Sequence, residues 1–186
     1  MRTSNKYERV ILIALGLIVS MAPSAHAHLM VAQHGTLNIV DDGAFMVLSL
    51  PMSAFGDIDE DNDGLVSMVE FNHHRATIVE SVRKNVRLSD REKNLSLQGI
   101  MLSPVISYDS PTEPISQLTV MGRFTLNDPD SALRFQVDLF GKQSIEQLLE
   151  ITATRKVGGQ KHEFELTPEA PASPVLPESA IPKITP

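Results

Sequence analysis

The sequence predicts an α+β fold in which one helix-loop-helix is inserted into an antiparallel β-sheet or sandwich. Apolar and polar residues alternate in segments on both sides of residues 51–86, a pattern typical of strands with one buried face. Within residues 51–86, apolar residues recur at helical spacing after an acidic loop. We expect a single α+β domain over residues 28–167, which is long enough to bury a core.

The first 27 residues have the features of an export signal. Basic residues precede an apolar run over residues 10–19, and Ala25-His26-Ala27 matches the small-x-small motif of signal peptidase. The apolar run is too short to cross about 30 Å of hydrocarbon as a helix. We therefore expect a signal peptide at residues 1–27, a periplasmic or extracellular location, and no membrane span after cleavage.

The composition of the chain excludes some kinds of cross-link and binding partner. The chain has no cysteine, so the fold uses neither disulfides nor thiolate metal ligands. Removing residues 1–27 takes away three basic residues and one acidic residue, which changes the net charge from −7 to −9. An acidic surface repels nucleic acid and attracts cations. We therefore expect no nucleic-acid partner.

The first predicted element is a hairpin. Leu29–Val40 and Ala44–Leu50 contain alternating apolar positions, and Asp41-Asp42-Gly43 between them is a turn sequence. Pro51 ends the second strand and opens a short helix predicted over Met52–Ile58, which leads into the acidic loop.

A longer helix is predicted after the loop, over Ser67–Val86. Its apolar residues Phe71, Ile78, Val82 and Val86 share one face at helical spacing. We expect this face to be buried against the sheet, because an amphipathic helix packs its apolar stripe toward the core.

Period-two patterns after residue 94 predict a succession of strands. They lie at Leu95–Gly99, Gln117–Leu126, Leu133–Leu139, Gln147–Arg155 and His162–Leu166. The start of the fourth is open, since Glu146–Glu150 also fits a helical turn, and Gly158-Gly159 predicts a turn before the fifth. The final segment, residues 168–186, has six prolines and little to bury, so we expect a disordered tail.

The acidic loop at residues 59–70 carries oxygen donors at the spacing of a calcium-binding loop. Calcium takes six to eight oxygen ligands, and a glycine at the sixth position allows the sharp turn around the ion. Gly64 occupies that position, and the twelfth position is a glutamate, which can bind with both oxygens. The expected ligands are the four carboxylates, one backbone carbonyl and one serine acting through a water: Asp59, Asp61, Asp63, Glu70, Leu65 and Ser67.

This loop resembles the EF-hand calcium-binding family, and more narrowly exported bacterial proteins that carry a single EF-hand. The resemblance covers about Pro51–His74 and implies Ca²⁺ as the ion, with the side chain of Val66 in the core. A weaker likeness, to the periplasmic N-terminal region of HupE/UreJ-type membrane proteins, rests on the same loop and on Leu166-Thr167-Pro168. It implies no transport activity, because the transmembrane helices of those proteins have no counterpart in this sequence.

Two alternatives to a calcium-binding protein remain open. Cleavage after Ala27 places a free amine on His28, which with His34 could chelate copper in a periplasmic copper-handling protein. An enzyme is the other alternative, and a deep polar pocket away from the loop would favour it. We expect no enzyme, since the sequence has no nucleophile elbow, metalloprotease helix or phosphate loop. His73 and His74 are expected to be ordinary helix residues, because adjacent residues project about 100° apart.

The sequence as a whole favours an exported, non-enzymatic calcium-binding protein with one EF-hand. The ion is expected to have a structural or protein-interaction role, with an unidentified protein as a possible partner. Dissociation constants on the order of 10⁻⁴–10⁻³ M, typical of extracellular modules, suit such a stabilising site.

Overall fold

The structure, a computed structural model, describes residues 32–91, 93–106, 114–128 and 130–176. The predicted signal peptide at residues 1–27 and His28 lie outside these ranges, as do residues 177–186. Among the described residues, no helix is long and apolar enough to cross a membrane.

The described residues form ten strands and two α-helices. The strands are β1 (His34–Val40), β2 (Gly43–Pro51), β3 (Val86–Asp90), β4 (Lys93–Asn94), β5 (Leu97–Val105), β6 (Gln117–Thr125), β7 (Leu133–Val137), β8 (Leu149–Arg155), β9 (Gln160–Leu166) and β10 (Ala172–Pro174). The helices are α1 (Met68–His73) and α2 (Arg75–Asn85), and single 3₁₀ turns form at Met52–Ala54, Ser144–Glu146 and Val157–Gly159.

The strands form two sheets, which confirms the predicted α+β, sandwich-like fold. The larger sheet has the order β5-β6-β2-β1-β8-β9, and the smaller has the order β10-β7-β3-β4. Buried residues of both sheets belong to one hydrophobic cluster, for example Leu48 of β2 and Phe135 of β7. Ile78 and Val82 of α2 join the same cluster, so the helical insertion shares the core of the sheets.

The period-two patterns of the sequence correspond to real strands. Leu118, Val120 and Phe124 of β6 are inaccessible to solvent, whereas the residues that alternate with them are partly exposed. Leu133 and Phe135 of β7 are likewise buried. The predicted sheet is therefore confirmed at its centre, because burial of one face fixes the register of a strand.

One strand pair differs from the expected antiparallel arrangement. β1 pairs with β2 in an antiparallel hairpin, as predicted, but its other edge pairs with β8 in parallel. A parallel pair needs a long crossover connection, and residues 41–148 supply one. Local sequence patterns reveal which segments are strands, but they carry no information about which distant segment lies beside them.

The helix predicted over Met52–Ile58 is wrong. The chain forms one 3₁₀ turn at Met52–Ala54 and then runs irregularly. Asp57 has a left-handed backbone with φ 58°, which ends any helix. Ser53, on the turn, donates a 2.6 Å hydrogen bond to Glu146 and so ties the turn to the distant 3₁₀ turn at Ser144–Glu146.

The helix predicted over Ser67–Val86 is in fact two helices and the start of a strand. α1 and α2 are separated at His74, whose backbone (φ −95°, ψ 10°) departs from helical values, and Val86 is the first residue of β3. The predicted apolar face is nevertheless confirmed. Its four members are almost completely buried: Phe71, Ile78, Val82 and Val86.

The expectation of a disordered tail from residue 168 is wrong for residues 168–176. β10 pairs with β7 at the edge of the smaller sheet, and Val175 is fully buried. Its N–H donates to the carbonyl of Leu133, and the carbonyl of Pro171 accepts from Val137. Prolines lack a backbone donor, but an edge strand tolerates them because one side of its backbone needs no partner.

Candidate metal centre

The acidic loop turns sharply, as the glycine in its sixth position predicts. Gly64 has φ +85°, a left-handed conformation that is costly for residues with a Cβ. Asn62, two residues earlier, is also left-handed at φ 59°. Together these two residues return the chain toward its starting point and bring the side chains of the first half of the loop together.

Asp59, Asp61 and Asp63 form a compact cluster of carboxylates. Each offers an oxygen that lies within 4.8 Å of the oxygens of the other two. Hydrogen bonds from the loop backbone hold this arrangement: Gly64 N–H donates to Asp59 Oδ2 (2.9 Å), Asp63 N–H to Asp61 Oδ1 (3.2 Å), and Leu65 N–H to Asp63 Oδ1 (2.8 Å). These bonds fix the carboxylates without neutralising their charge.

One oxygen of this cluster has no partner. Oδ1 of Asp59 is shielded from solvent, and no hydrogen-bond donor within the described part of the chain reaches it. A buried carboxylate oxygen without a donor costs free energy, because it has lost its hydration without compensation. A cation bound between the three aspartates would supply the missing partner. The donor set consists of oxygens, which suits a hard ion such as Ca²⁺.

Glu70 lies next to the cluster and is held by its own hydrogen bonds. The backbone N–H and the hydroxyl of Ser67 both donate to Oε2 of Glu70 over 2.8 Å, and Glu60 N–H donates to Oε1 over 2.8 Å. In return, Glu70 N–H donates to the Ser67 hydroxyl (3.3 Å), which completes a capping box at the start of α1.

These donors keep Glu70 ionised. The N–H and hydroxyl of Ser67, followed by the N–H of Glu60, lower the pKa of Glu70 from 4.5 to about 2, although partial burial opposes the shift. The carboxylate oxygens of Glu70 do not belong to the 4.8 Å cluster of the three aspartates. Binding an ion with both oxygens would therefore require Glu70 to exchange hydrogen bonds with Ser67 and Glu60 for contacts with the ion.

The exit of the loop is attached to the sheet. Val66 is buried, as predicted, and its carbonyl accepts a 2.8 Å hydrogen bond from Ile115 N–H. The next residue, Ser116, accepts from Met52 N–H before the loop (3.0 Å). Residues 115–116, just before β6, thus contact the chain on both sides of the acidic loop. The sequence does not predict that residues 115–116 contact the loop. Its one local feature is an apolar residue, Ile115, among polar residues and prolines.

A second cluster beside the loop was not expected from the sequence. Glu60, the second residue of the loop, contacts the imidazoles of both His73 and His74. On the single regular helix predicted from the sequence, these adjacent histidines would point in different directions, but the helix is interrupted at His74. The interruption lets both rings reach the same carboxylate.

The residues of the copper alternative are only partly described. His28 lies outside the described residues. His34 is described, and both of its ring nitrogens have partners, with Nδ1 2.8 Å from the carbonyl of Ala32 and Nε2 2.5 Å from Glu150. A copper site that uses His34 would have to displace Glu150 or Ala32.

A groove of about 460 Å³ lies next to His34, across strands β1, β8 and β9. It lies away from the acidic loop, and its lining includes Thr152 and the carboxylates of Glu150, Glu163 and Glu165. The feature that would favour an enzyme is a deep polar pocket, and this groove is open to solvent. The expectation of no enzymatic activity stays a prediction.

No protein-family model matches this chain, and no curated protein matches it either. The resemblance to EF-hand proteins therefore rests on the residues of the loop.

Proposed function

We propose that this protein is an exported calcium-binding protein whose single EF-hand-like loop, residues 59–70, binds one Ca²⁺ ion with a structural or protein-interaction role. The observation that carries the proposal is the shielded, unpartnered Oδ1 of Asp59 within the aspartate cluster. Three negative charges held this close repel one another unless a cation lies between them. The loop keeps them together with backbone hydrogen bonds that leave other oxygen lone pairs free.

The proposed ligands are those of the sequence pattern. Asp59, Asp61 and Asp63 each supply a side-chain oxygen, Leu65 supplies its backbone carbonyl, and Ser67 acts through a water. Glu70 supplies both carboxylate oxygens. The donors that lower its pKa occupy both oxygens, so an ion bound in this way would take the place of the hydrogen bonds from Ser67 and Glu60.

A stabilising role fits the surroundings of the loop better than a switching role. Sensor EF-hands open a pair of helices when calcium binds. Here the segment before the loop is a single 3₁₀ turn, and α1 has six residues. The backbone hydrogen bond between Val66 and Ile115 fixes the exit of the loop to the sheet. Calcium would therefore order a loop that is already attached to the body of the protein.

A protein-interaction role has support from two exposed apolar side chains. Leu65 within the loop is 50% exposed, and Val69 at the start of α1 is 77% exposed. Both lie within five residues of the proposed ligands Ser67 and Glu70 along the chain. A protein partner that contacts Leu65 and Val69 would meet a surface whose order depends on the ion.

Thermal unfolding of the purified protein with calcium, with magnesium and with a chelator tests the proposal. We expect calcium to raise the melting temperature, and magnesium to raise it less, because its smaller octahedral shell does not accept a bidentate glutamate readily. Glu70→Gln should remove most of the calcium-dependent increase. Glu80→Gln is the matched control, since Glu80 is exposed on α2, where it forms a 3.4 Å contact with the likewise exposed Arg83.

An identical melting temperature in all three solutions would refute a structural role for the ion. Isothermal titration calorimetry then decides whether calcium binds at all. No heat at millimolar calcium would exclude the site itself, since sites of extracellular modules have dissociation constants of about 10⁻⁴–10⁻³ M.

A further inference from the structure

The cluster of Glu60, His73 and His74 has the composition of a transition-metal site. Oε1 of Glu60 lies 2.8 Å from Nδ1 of His73 and 2.8 Å from Nε2 of His74. The carboxylate oxygen and the two ring nitrogens all lie within 4.8 Å of one another. No side chain of this cluster belongs to the six proposed calcium ligands.

The backbone is shaped so that two adjacent histidines converge. On a regular helix their side chains would point about 100° apart. At His74 the backbone leaves the helical region, and α2 starts at the next residue. The rings use different nitrogens, Nδ1 on His73 and Nε2 on His74, and lie with centroids 5.6 Å apart and planes inclined at 54°. Two nitrogens are thus presented to one point from different directions.

We infer that Glu60, His73 and His74 bind a divalent transition-metal ion, and that Zn²⁺ is the ion they suit best. Imidazole nitrogen is a good ligand for zinc, whereas calcium takes oxygen ligands. With zinc–ligand bonds of about 2.0–2.1 Å, the ligand atoms of a tetrahedral site lie roughly 3.3 Å apart. The two contacts of Glu60 Oε1, at 2.8 Å, are shorter than that value, and all three ligand atoms lie within 4.8 Å of one another.

The exposure of the three residues leaves room for a fourth ligand. The side chains of Glu60 and His73 are 48% and 73% exposed, and that of His74 is 24% exposed. A water molecule can therefore complete the tetrahedron from the solvent side, as it does in zinc sites with three protein ligands. Because Glu60 is also the second residue of the acidic loop, this ion would join the start of the loop to the junction of α1 and α2.

Without a metal, the same contacts are a hydrogen bond between His74 Nε2 and Glu60 Oε1 and a close approach of His73 Nδ1 to the same oxygen. The measurement must therefore count bound zinc rather than detect the contacts. We propose isothermal titration of the purified full chain with Zn²⁺, followed by the absorption spectrum of the Co²⁺-loaded protein, which reports tetrahedral coordination. Single variants Glu60→Gln, His73→Asn and His74→Asn identify the ligands. Glu80→Gln and His162→Asn are the matched controls.

We expect one equivalent of zinc that depends on all three residues. Loss of an outer partner of a metal ligand typically weakens affinity by about 10–100-fold, so loss of a direct ligand should weaken it by at least as much. The two controls should leave the affinity within about twofold, because neither residue belongs to the cluster. Binding that survives in all three ligand variants, or that falls equally in the controls, would overturn the inference.

This site and the calcium loop can be tested separately. Asp61→Asn removes a proposed calcium ligand but leaves Glu60, His73 and His74 unchanged. If the inference is correct, this variant loses calcium binding and keeps zinc binding. Loss of zinc binding in this variant would place zinc in the aspartate cluster and overturn the inference, whatever the result with calcium.

Discussion

The centre of the larger sheet and the acidic loop owe their order to different interactions. In β6, Leu118, Val120 and Phe124 are inaccessible to solvent, and burial of such a side chain contributes roughly 1.5–3 kcal/mol. In the loop, residues 60–65 are all exposed, and the backbone is held by hydrogen bonds to aspartate side chains. The sheet is stabilised by removing apolar surface from water, whereas the loop concentrates negative charge that its backbone N–H donors only partly compensate.

This difference implies that the two regions respond to different perturbations. The stability of the sheet should be almost independent of divalent ions, because its buried side chains are apolar except for those of Ser49 and Arg155, and neither of these is anionic. The order of the loop should depend strongly on ions and pH and weakly on apolar substitutions elsewhere. The four predictions that follow test this separation.

The largest effect is expected for Phe124→Ala at the centre of the larger sheet. Removing a fully buried phenylalanine should lower the free energy of unfolding by about 3–5 kcal/mol. The loss, measured by urea denaturation, should be the same in calcium and in chelator. Phe45→Ala is the control, because Phe45 is 45% exposed and stacks under Arg123; its loss should be about 1 kcal/mol or less. If calcium changed the loss of unfolding free energy caused by Phe124→Ala, the stability of the sheet would depend on the ion bound by the loop.

Asp59→Asn should have a large effect only when calcium is present. At calcium concentrations 10–100 times the dissociation constant, binding stabilises a protein by about 1.4–2.7 kcal/mol, and this variant should lose most of that. In chelator it should be neutral or slightly stabilising, because one of three repelling charges is removed. The matched control is Asp57→Asn, since Asp57 is exposed and left-handed at φ 58°, a conformation asparagine adopts well. Equal effects of both variants in calcium would contradict the proposed ligand role.

Val175→Ala tests whether the segment after residue 168 belongs to the ion-independent region. Val175 is fully buried beside β7, and removing its two methyl groups should cost about 1.6 kcal/mol at about 0.8 kcal/mol each. Chemical denaturation in calcium and in chelator should give equal losses. Val157→Ala, at a 73% exposed position, should change little. No loss at Val175 would favour the disordered tail that the sequence predicts.

The smallest change in the stability of the folded protein is expected when the calcium-free protein is titrated with acid. The pKa of Glu70 is lowered from 4.5 to about 2 by the donors of Ser67 and Glu60. Its ionised form therefore stabilises the folded state above about pH 4.5, and this contribution is lost as the pH falls from 4.5 to 2. Glu70→Gln should flatten that part of the stability curve, whereas Glu80→Gln should leave it unchanged. Parallel curves for Glu70→Gln and the unmodified protein would contradict the role of the capping box.

The sequence predicts the parts of the fold that depend on local patterns. Most strands of the larger sheet have a period-two segment in the sequence, because a strand with one buried face must alternate. The exception is β5, of which only Leu97–Gly99 was predicted, since a register shift between Gln98 and Met101 interrupts its alternation. The carboxylate spacing of the loop also predicts the cluster of Asp59, Asp61 and Asp63, since Gly64 permits the turn that brings them together. Local rules are sufficient in both cases.

The parts that the sequence does not predict depend on distant neighbours. The parallel pairing of β1 with β8 and the docking of β10 on β7 join segments that no short-range pattern connects. The hydrogen bond from Ile115 to Val66 is of the same kind. The cluster around Glu60 was not predicted for a different reason. The sequence predicts one regular helix here, because no proline or glycine lies near His74 to indicate an interruption.

The parallel pair has a consequence for how the protein reaches its final location. β1 starts at residue 34, and its second neighbour ends at residue 155, so the larger sheet is incomplete until nearly the whole chain is available. Sheets built from such remote pairings form slowly. For a protein exported as we propose, slow formation of the larger sheet would keep the chain unfolded while it is translocated. The acidic loop would then meet calcium only on the far side of the membrane, after the sheet that holds it has assembled.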